Sequence, residues 1–235
     1  MTRRFYTDVS HRPAEGGYAV LLDGRPVRTP GRAVLILPCE PLARAVADEW
    51  AAQGETIEPQ TMPLTRLANT VLDGVLPNPG PVADAIAHYA ASDLLCHRAA
   101  WPADLVARQS AAWDPMIAWA NHRFDITLAV GTGVMPIAQA LEALARLAAA
   151  AHALAPWPLA ATHVATTVTG SLILGLALTE GAIDVEHAWA TGQLDDLYQA
   201  QTWGEDPEAA KAQALRRADL DTAAILLRLL AEDVS

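Results

Sequence analysis

The spacing of apolar residues changes from that of strands to that of helices about forty residues into the chain, and this change limits the folds open to the sequence. Before it, RFYTDVS and GYAVLLD are short runs rich in aromatic and β-branched residues, which is typical of strands. Asp23-Gly24 stands between two apolar runs, and both residue types tolerate the positive φ that a tight hairpin turn requires. A further strand is expected over residues 33–38. The first forty residues therefore predict a small antiparallel meander.

Beyond residue 40 the apolar positions recur with helical spacing. Leu42, Val46 and Trp50 are four residues apart and share one helix face. Trp50 is therefore expected in the core against the sheet, with contact to a partner as the alternative. Thr61 is a suitable N-cap for a second helix, which Asp73-Gly74 is expected to close.

The stretch LPNPGP, residues 76–81, is the best linker candidate because it holds three prolines and one glycine in six residues. Nearly everything after it is Ala-rich and helical, including a helix expected to open at Asp114-Pro115. The predicted fold class is α+β. We expect a small N-terminal antiparallel β domain with helices over residues 1–77, followed by a mainly α-helical C-terminal domain over residues 78–235.

One segment is apolar enough to raise the question of a membrane span. Residues 159–178 contain no Asp, Glu, Lys or Arg. They do contain four threonines, His163, Ser171 and two glycines, which lower the hydrophobicity well below that of a typical span. A helix buried inside a helical domain is the favoured interpretation, and a membrane-spanning helix is the alternative.

Charge and motif content exclude several functions. With 16 Lys and Arg against 27 Asp and Glu, the net charge of −11 leaves no basic stripe for nucleic acid and disfavours an anionic membrane surface. Lys211 is the only lysine and follows no glycine-rich turn, so a phosphate-binding Walker loop is excluded. The start MTRRFYTDVS lacks the apolar region of a secretory signal. Cys39 and Cys96 are far apart and are expected to be buried, reduced thiols.

No catalytic pattern stands out. The seven histidines form no short metal-ligand spacing, Ser171 lacks the frame of a nucleophile elbow, and Gly131-Thr132-Gly133 lacks the third glycine of a dinucleotide fingerprint. We therefore expect no enzyme, no catalytic residue, no cofactor and no metal. A cofactor-free enzyme that uses scattered carboxylates stays as one alternative, and a stable structural subunit of a larger complex as another.

The most unusual feature is an acidic segment. Residues 180–208 hold eight Asp or Glu and no Lys or Arg, with three large aromatic residues among them. One interpretation is a solvated helix face with capping carboxylates at Asp206-Pro207 and Glu208. The other is a surface that anchors on a basic patch of a partner, since aromatic residues dominate the energetics of interfaces.

Six stretches together resemble a known family. They are RFYTDV, GYAVLLDGRPVRTP, LILPCEPLARAVADEWAAQGETIEPQTMPLTRLANTVLD, SDLLCHRA, QSAAWDPMIAW and YQAQTWGEDPEA. The chain is similar in these stretches to the ATP-twelve family, the assembly chaperones that receive the α subunit of the F-type ATP synthase. The resemblance is most specific over residues 33–73 and weakest over residues 131–181.

The resemblance implies a β-containing N-terminal domain, a helical C-terminal domain and an ATP-independent activity. That activity is to hold the unassembled α subunit in soluble form until it joins β. From the charge balance and the composition of residues 159–178, we expect no nucleic-acid partner and no membrane insertion. A bacterial cytoplasm is the expected location, or the mitochondrial matrix for a processed organellar form. The acidic segment is the predicted partner-binding site, with seven residues: Asp195, Asp196, Tyr198, Trp203, Glu205, Asp206 and Glu208.

Overall fold

A computed structural model describes residues 2–133, 137–204 and 206–232. Helices dominate, and antiparallel sheets occupy the N-terminal region, which confirms the predicted α+β class. Backbone contacts divide the chain into two units. The first comprises the residues up to Pro79 together with those from Ile225 onward, and the second is Gly80–Ala224. The proposed domain boundary between residues 77 and 78 stays a prediction.

The strands are short. In chain order they are β1 (Thr2–Arg3), β2 (Val9–Ala14), β3 (Gly17–Leu22), β4 (Arg25–Pro26), β5 (Ile36–Leu37), β6 (Thr56–Ile57), β7 (His97–Arg98) and β8 (Gly131–Thr132). The α-helices are α1 (Glu40–Ala51), α2 (Pro63–Thr70), α3 (Gly80–Ala87), α4 (Ala103–Phe124), α5 (Leu141–His152), α6 (Pro156–Thr169), α7 (Leu172–Thr179), α8 (Val185–Gly192), α9 (Leu194–Trp203) and α10 (Pro207–Glu232).

The β2–β3 hairpin organises the first unit. Val9 pairs with Leu22 and Ala14 with Gly17, and β4 and β5 both pair with β3. Asp23 and Gly24 have φ of 48° and 74°, which confirms the predicted turn between β3 and β4. The buried residues of β3 pack against α1, so this hairpin forms one side of the core of the first unit.

The prediction of a strand over RFYTDVS is largely wrong. Residues 4–8 lie outside the strands because Thr7 and Asp8 donate their backbone N–H groups to the carboxylate of Asp23, at 3.1 and 2.8 Å, rather than to a neighbouring strand. The strand expected over residues 33–38 is reduced to Ile36–Leu37. The sheet is therefore smaller than its β-rich sequence suggests.

Helix α1 has the predicted apolar face, but its last turn differs. Leu42 and Val46 are buried, whereas Trp50 is only half-buried. Its ring lies edge-on to that of Tyr6, with centroids 5.8 Å apart, and Tyr6 donates its hydroxyl to the Trp50 carbonyl at 2.8 Å. Trp50 therefore stands at the margin of the core, with part of its ring on a cavity.

The predicted cap of α2 is wrong in an informative way. Thr61 lies in a 3₁₀ turn, where its hydroxyl donates to the Glu58 carbonyl. Glu49 of α1 instead accepts the N–H groups of Leu64 and Thr65, each at 2.8 Å. A carboxylate from a neighbouring helix thus satisfies the free donors at this helix start.

The predicted end of the same helix is also wrong. The chain stays helical through Val71–Val75 in a wider π turn. Asp73 accepts hydrogen bonds from the Thr29 hydroxyl at 2.6 Å and the Gly31 N–H at 2.8 Å. Asp73 thus ties the helix to the loop between β4 and β5, and it does not end the helix.

The second unit packs helices around buried apolar residues. The predicted helix start at Asp114-Pro115 is wrong, since α4 runs straight through Pro115. Asp114 pairs with Arg98 at 2.8 Å, and Trp113 and Ala120 are fully buried on either side. Packing therefore outweighs the roughly 3 kcal/mol that an interior proline costs a helix.

The apolar stretch 159–178 is buried, as predicted, but it forms two helices. Gly170 ends α6 with φ of 71°, and Ser171 caps α7 by accepting the Leu174 N–H at 3.1 Å. Among the residues that the structure describes, no helix combines the length and apolar character needed to cross a bilayer.

Candidate partner-binding site

The predicted acidic site lies on a helical hairpin formed by α9 and the first turns of α10. Gly204, with φ of 91°, ends α9, and its N–H donates to the Ala200 carbonyl at 3.0 Å. Asp206 caps α10 by accepting the Glu208 N–H at 3.2 Å, with Pro207 as the first helical residue. These residue types at these positions explain locally why the chain reverses here.

The two helices of the hairpin enclose a cavity of about 270 Å³. Each helix contributes a stripe at the spacing i, i+3, i+4 and i+7, which places its members on one face. The stripe of α9 is Asp196, Gln199, Ala200 and Trp203; the stripe of α10 is Asp206, Ala209, Ala210 and Gln213, with Arg216 beyond it. The alanines make a narrow apolar floor, and the polar residues form a rim.

Trp203 supplies the large apolar surface of this cavity. Its side chain is 74% exposed although it lies beside the cavity. The first turns of α10 are exposed as well, including Leu215 at 63%. An exposed indole beside small apolar side chains can be buried by a partner at little conformational cost, since Trp has only two side-chain torsions.

The rim of the cavity carries net negative charge. Asp196 lies 3.8 Å from Arg216, at the outer limit of an ion pair, and both side chains are about half exposed. Asp206 has no cation within that distance among the described residues. The site therefore suits a cationic group on an aliphatic or aromatic stem that can lie along Trp203.

Asp195 and Tyr198 point away from the cavity. Asp195 accepts the Gln109 side-chain N–H at 2.7 Å, and Gln109 is 1% exposed. Tyr198 is 8% exposed and donates its hydroxyl to the Asp104 carboxylate at about 3.0 Å. Burial, followed by the bond to Asp104, raises the pKa of Tyr198. Both residues hold α9 against α4, so a role in binding would act through the position of this helix.

Of the two other predicted residues, the structure describes one. Glu208 is exposed in the first turn of α10, outside the cavity lining. Glu205 lies outside the described residues. The hairpin therefore brings Asp196, Trp203 and Asp206 together at one cavity. The seven-residue site as a whole stays a prediction.

The sequence interpretation missed Gln199, Gln213 and Arg216, as well as the alanine floor. A signal for them was present, because the helical stripe that starts at Asp196 includes Gln199 and Ala200 before reaching Trp203. Arg216 could not be found in this way, since its approach to Asp196 depends on how α10 folds back.

The most perturbed carboxylate of the second unit lies elsewhere. Asp93 is 1% exposed, and its oxygens accept the N–H groups of Leu95 and Ile173 at 3.1 and 3.2 Å. Burial raises the pKa of Asp93 to about 6. Asp93 lies outside the lining of the α9–α10 cavity, so its shifted pKa accompanies a structural role.

Both cysteines are reduced, buried thiols, as predicted. Burial, reinforced by the nearby Asp93 carboxylate, raises the pKa of Cys96 to about 12. A thiol with so high a pKa is a poor nucleophile near neutral pH, because the thiolate is the reactive form. Cys96 therefore serves packing.

Comparisons with known proteins show which family and fold the chain resembles. A family model described as ATP12 chaperone protein matches residues 3–121, just over half of the chain. The mitochondrial protein atp12 of Schizosaccharomyces pombe is 23% identical over 242 residues, covering 97% of this chain and 83% of that protein.

Solved structures extend the likeness to the whole fold. The crystal structure of Atp12 from Paracoccus denitrificans superposes with a TM-score of 0.93 and 43% identity, over 97% of this chain and 98% of that one. The Atu1473 protein of Agrobacterium tumefaciens gives a TM-score of 0.91 and 42% identity, over 97% of this chain and 86% of that one. The likeness therefore covers both units.

Proposed function

Because this chain belongs to the ATP12 chaperone family, whose members assist ATP synthase assembly, we propose that it binds the unassembled α subunit of the F-type ATP synthase. It keeps that subunit soluble until β joins it. It does so by binding alone, without ATP and without catalysis. Its place of action is the bacterial cytoplasm, or the mitochondrial matrix in an organellar form.

The physical need for such a protein follows from assembly. An unassembled subunit exposes the apolar surface meant for its neighbour, and such surfaces aggregate. A chaperone that does not consume ATP can only cover this surface reversibly and must yield when the true neighbour binds better. An interface of roughly 1,200–2,000 Å² with moderate affinity suffices.

The observation that carries the proposal is the exposed Trp203 between Asp196 and Asp206 at the α9–α10 cavity. Trp203 is the apolar anchor, and the two carboxylates select a basic patch on the partner. Glu205 and Glu208 add negative charge to the same segment of the sequence. Asp195 and Tyr198 contribute by holding α9 in position through Gln109 and Asp104.

The test is suppression of aggregation. Purified α subunit is diluted from denaturant with increasing amounts of this chain, and light scattering is recorded. The Trp203→Ala/Glu205→Lys double variant should require at least tenfold more chaperone than the parent, since it loses the anchor and reverses a charge. Glu15→Lys/Leu141→Ala makes the same kinds of change at exposed positions outside the cavity and should behave like the parent.

Unchanged suppression by the Trp203→Ala/Glu205→Lys variant, with its melting temperature intact, would remove the α9–α10 hairpin from the binding surface. Affinity purification from cells separates the functional classes. A chaperone recovers free α subunit, whereas a permanent subunit recovers the whole synthase in fixed stoichiometry.

A further inference from the structure

A second cavity lies in the first unit, remote in sequence from the acidic hairpin. Its volume is about 580 Å³, twice that of the α9–α10 cavity. The end of α1, the segment after β1 and the chain around β4 line it. Neither the family match nor the proposed function assigns it a role.

Three aromatic rings form one wall of this cavity. Phe5 is 69% exposed and meets the ring of Tyr6 edge-on at 5.4 Å, and Tyr6 in turn meets Trp50 at 5.8 Å. Tyr6 is buried, so Phe5 is held by a fixed neighbour while its other face stays open. A ring presented in this way is a pre-organised apolar anchor.

The opposite rim is cationic. Arg25 and Arg28 are exposed, and no ion pair with a carboxylate is found for either in the described part of the chain; the Arg28 guanidinium donates to the Arg32 carbonyl at 2.8 Å. Asp23 is the acidic residue of the lining, but one of its oxygens accepts from Thr7 and Asp8. The guanidinium of Arg4 lies 4.6 Å from the Tyr6 ring and adds positive charge behind the wall.

This positive rim contrasts with the protein as a whole. The first 39 residues hold six arginines against three acidic residues, while the chain carries a net charge of −11. Guanidinium groups bind carboxylates with paired hydrogen bonds, and an exposed pair of them beside aromatic rings suits an acidic side chain next to an apolar one.

We propose that this cavity is a second docking site, which binds an extended segment of a partner polypeptide that carries carboxylates beside an aromatic side chain. The carboxylates pair with Arg25 and Arg28, and the aromatic side chain packs against Phe5 and Trp50. The site differs from the acidic hairpin in charge and lies in the other unit. The ligand of this cavity is therefore acidic, whereas the acidic hairpin selects a basic patch.

Fluorescence anisotropy of three labelled hexapeptides with the full chain tests the proposal. The probe Glu-Phe-Asp-Glu-Phe-Asp should bind at least tenfold more tightly than Glu-Ala-Asp-Glu-Ala-Asp, which lacks the rings, and than Lys-Phe-Arg-Lys-Phe-Arg, which reverses the charge. Equal binding of the three peptides, or tighter binding of the basic one, overturns the proposal.

Matched variants locate the binding. Arg25→Glu/Arg28→Glu and, separately, Phe5→Ala should each weaken binding of the acidic aromatic peptide about tenfold. All three positions are exposed, so the fold tolerates the changes. Arg44→Glu reverses an exposed charge on α1 outside the cavity and should leave binding unchanged. A loss with Arg44→Glu equal to that of the double variant overturns the site.

A second copy of this chain is the competing occupant, since its acidic hairpin exposes Trp203. Analytical ultracentrifugation decides the matter. A monomer whose mass does not depend on concentration supports a partner peptide, while self-association lost in Arg25→Glu/Arg28→Glu overturns it. These measurements use no α subunit, so failure of this site and failure of the proposed function are distinguishable.

Discussion

At the scale of single residues, what a carboxylate does depends on the donors that reach it. Asp93 is enclosed and satisfied by backbone N–H groups, Asp114 neutralises Arg98, and Asp206 caps a helix while facing solvent. The sequence shows three aspartates of the same type. Only burial and partners separate the structural ones from those that are available to another protein.

Asp93 makes the stability of the fold depend on pH. Its folded pKa of about 6 lies above the ordinary 3.8, so between these values the folded chain keeps a proton that the unfolded chain has lost. The contribution of this group to the free energy of unfolding is therefore present below pH ~4. It is lost as the pH rises through about 6, with an upper limit of roughly 3 kcal/mol.

Denaturant unfolding of the parent and Asp93→Asn at several pH values checks this. The difference in unfolding free energy between the two proteins should shrink as the pH rises from about 4 to about 7, because asparagine has no proton to lose in this range. The variant should be less stable by about 1–2 kcal/mol at neutral pH, since its amide cannot accept both N–H groups. A constant difference across this range would contradict the raised pKa.

At the scale of helices and strands, the features that could be predicted from the sequence are local ones. The Asp23-Gly24 turn and the apolar face of Leu42 and Val46 follow from residues a few positions apart. The Glu49 cap joins α1 to a helix start fifteen residues later, and the Pro115 helix is held by Trp113. Tertiary contacts decide such features, and no short window of sequence contains them.

The candidate site likewise contains features that could be predicted from the sequence and features that could not. Trp203 and Asp206 were found because they stand out by type in a short acidic segment. The burial of Tyr198 could not be foreseen, since its partner Asp104 is 94 residues away along the chain. Tyr198 stands out by type in the sequence, but its role is to hold α9 in place and not to form part of the exposed surface.

The Glu49 cap gives a prediction for the first unit. Glu49→Ala leaves the N–H groups of Leu64 and Thr65 without their acceptor and should lower the free energy of unfolding by about 2 kcal/mol. Asp48→Ala, at the adjacent exposed position of α1, is the control and should change it by less than about 0.5 kcal/mol. Equal denaturation midpoints for the two variants would show that α2 starts without help from α1.

At the scale of the whole molecule, charge is unevenly divided. The second unit contains seven basic and sixteen acidic residues, whereas the first contains nine and eleven. The two units thus differ by seven charges, −9 against −2. An uneven charge distribution of this kind orients a charged partner before contact and accelerates association.

Association with the α subunit, the proposed partner, should therefore depend on salt. Raising NaCl from about 50 to about 500 mM should lower the association rate constant at least tenfold, because salt screens the electrostatic attraction between the acidic unit and its partner. The dissociation rate should change by less than about threefold. Stopped-flow fluorescence measures both rates, and Trp203→Ala should raise dissociation while keeping the salt dependence of association. Association that is insensitive to salt would show that the acidic unit does not steer the partner.

Helix α10 has a consequence for biosynthesis. Its residues up to Ala224 belong to the second unit, but those from Ile225 belong to the first, where Leu226 and Leu229 are buried and the Cys39 thiol donates to the Leu229 carbonyl at 3.5 Å. The unit that the ribosome makes first therefore lacks part of its interior until α10 emerges. The N-terminal unit of this protein thus stays incompletely packed during most of the translation of the chain.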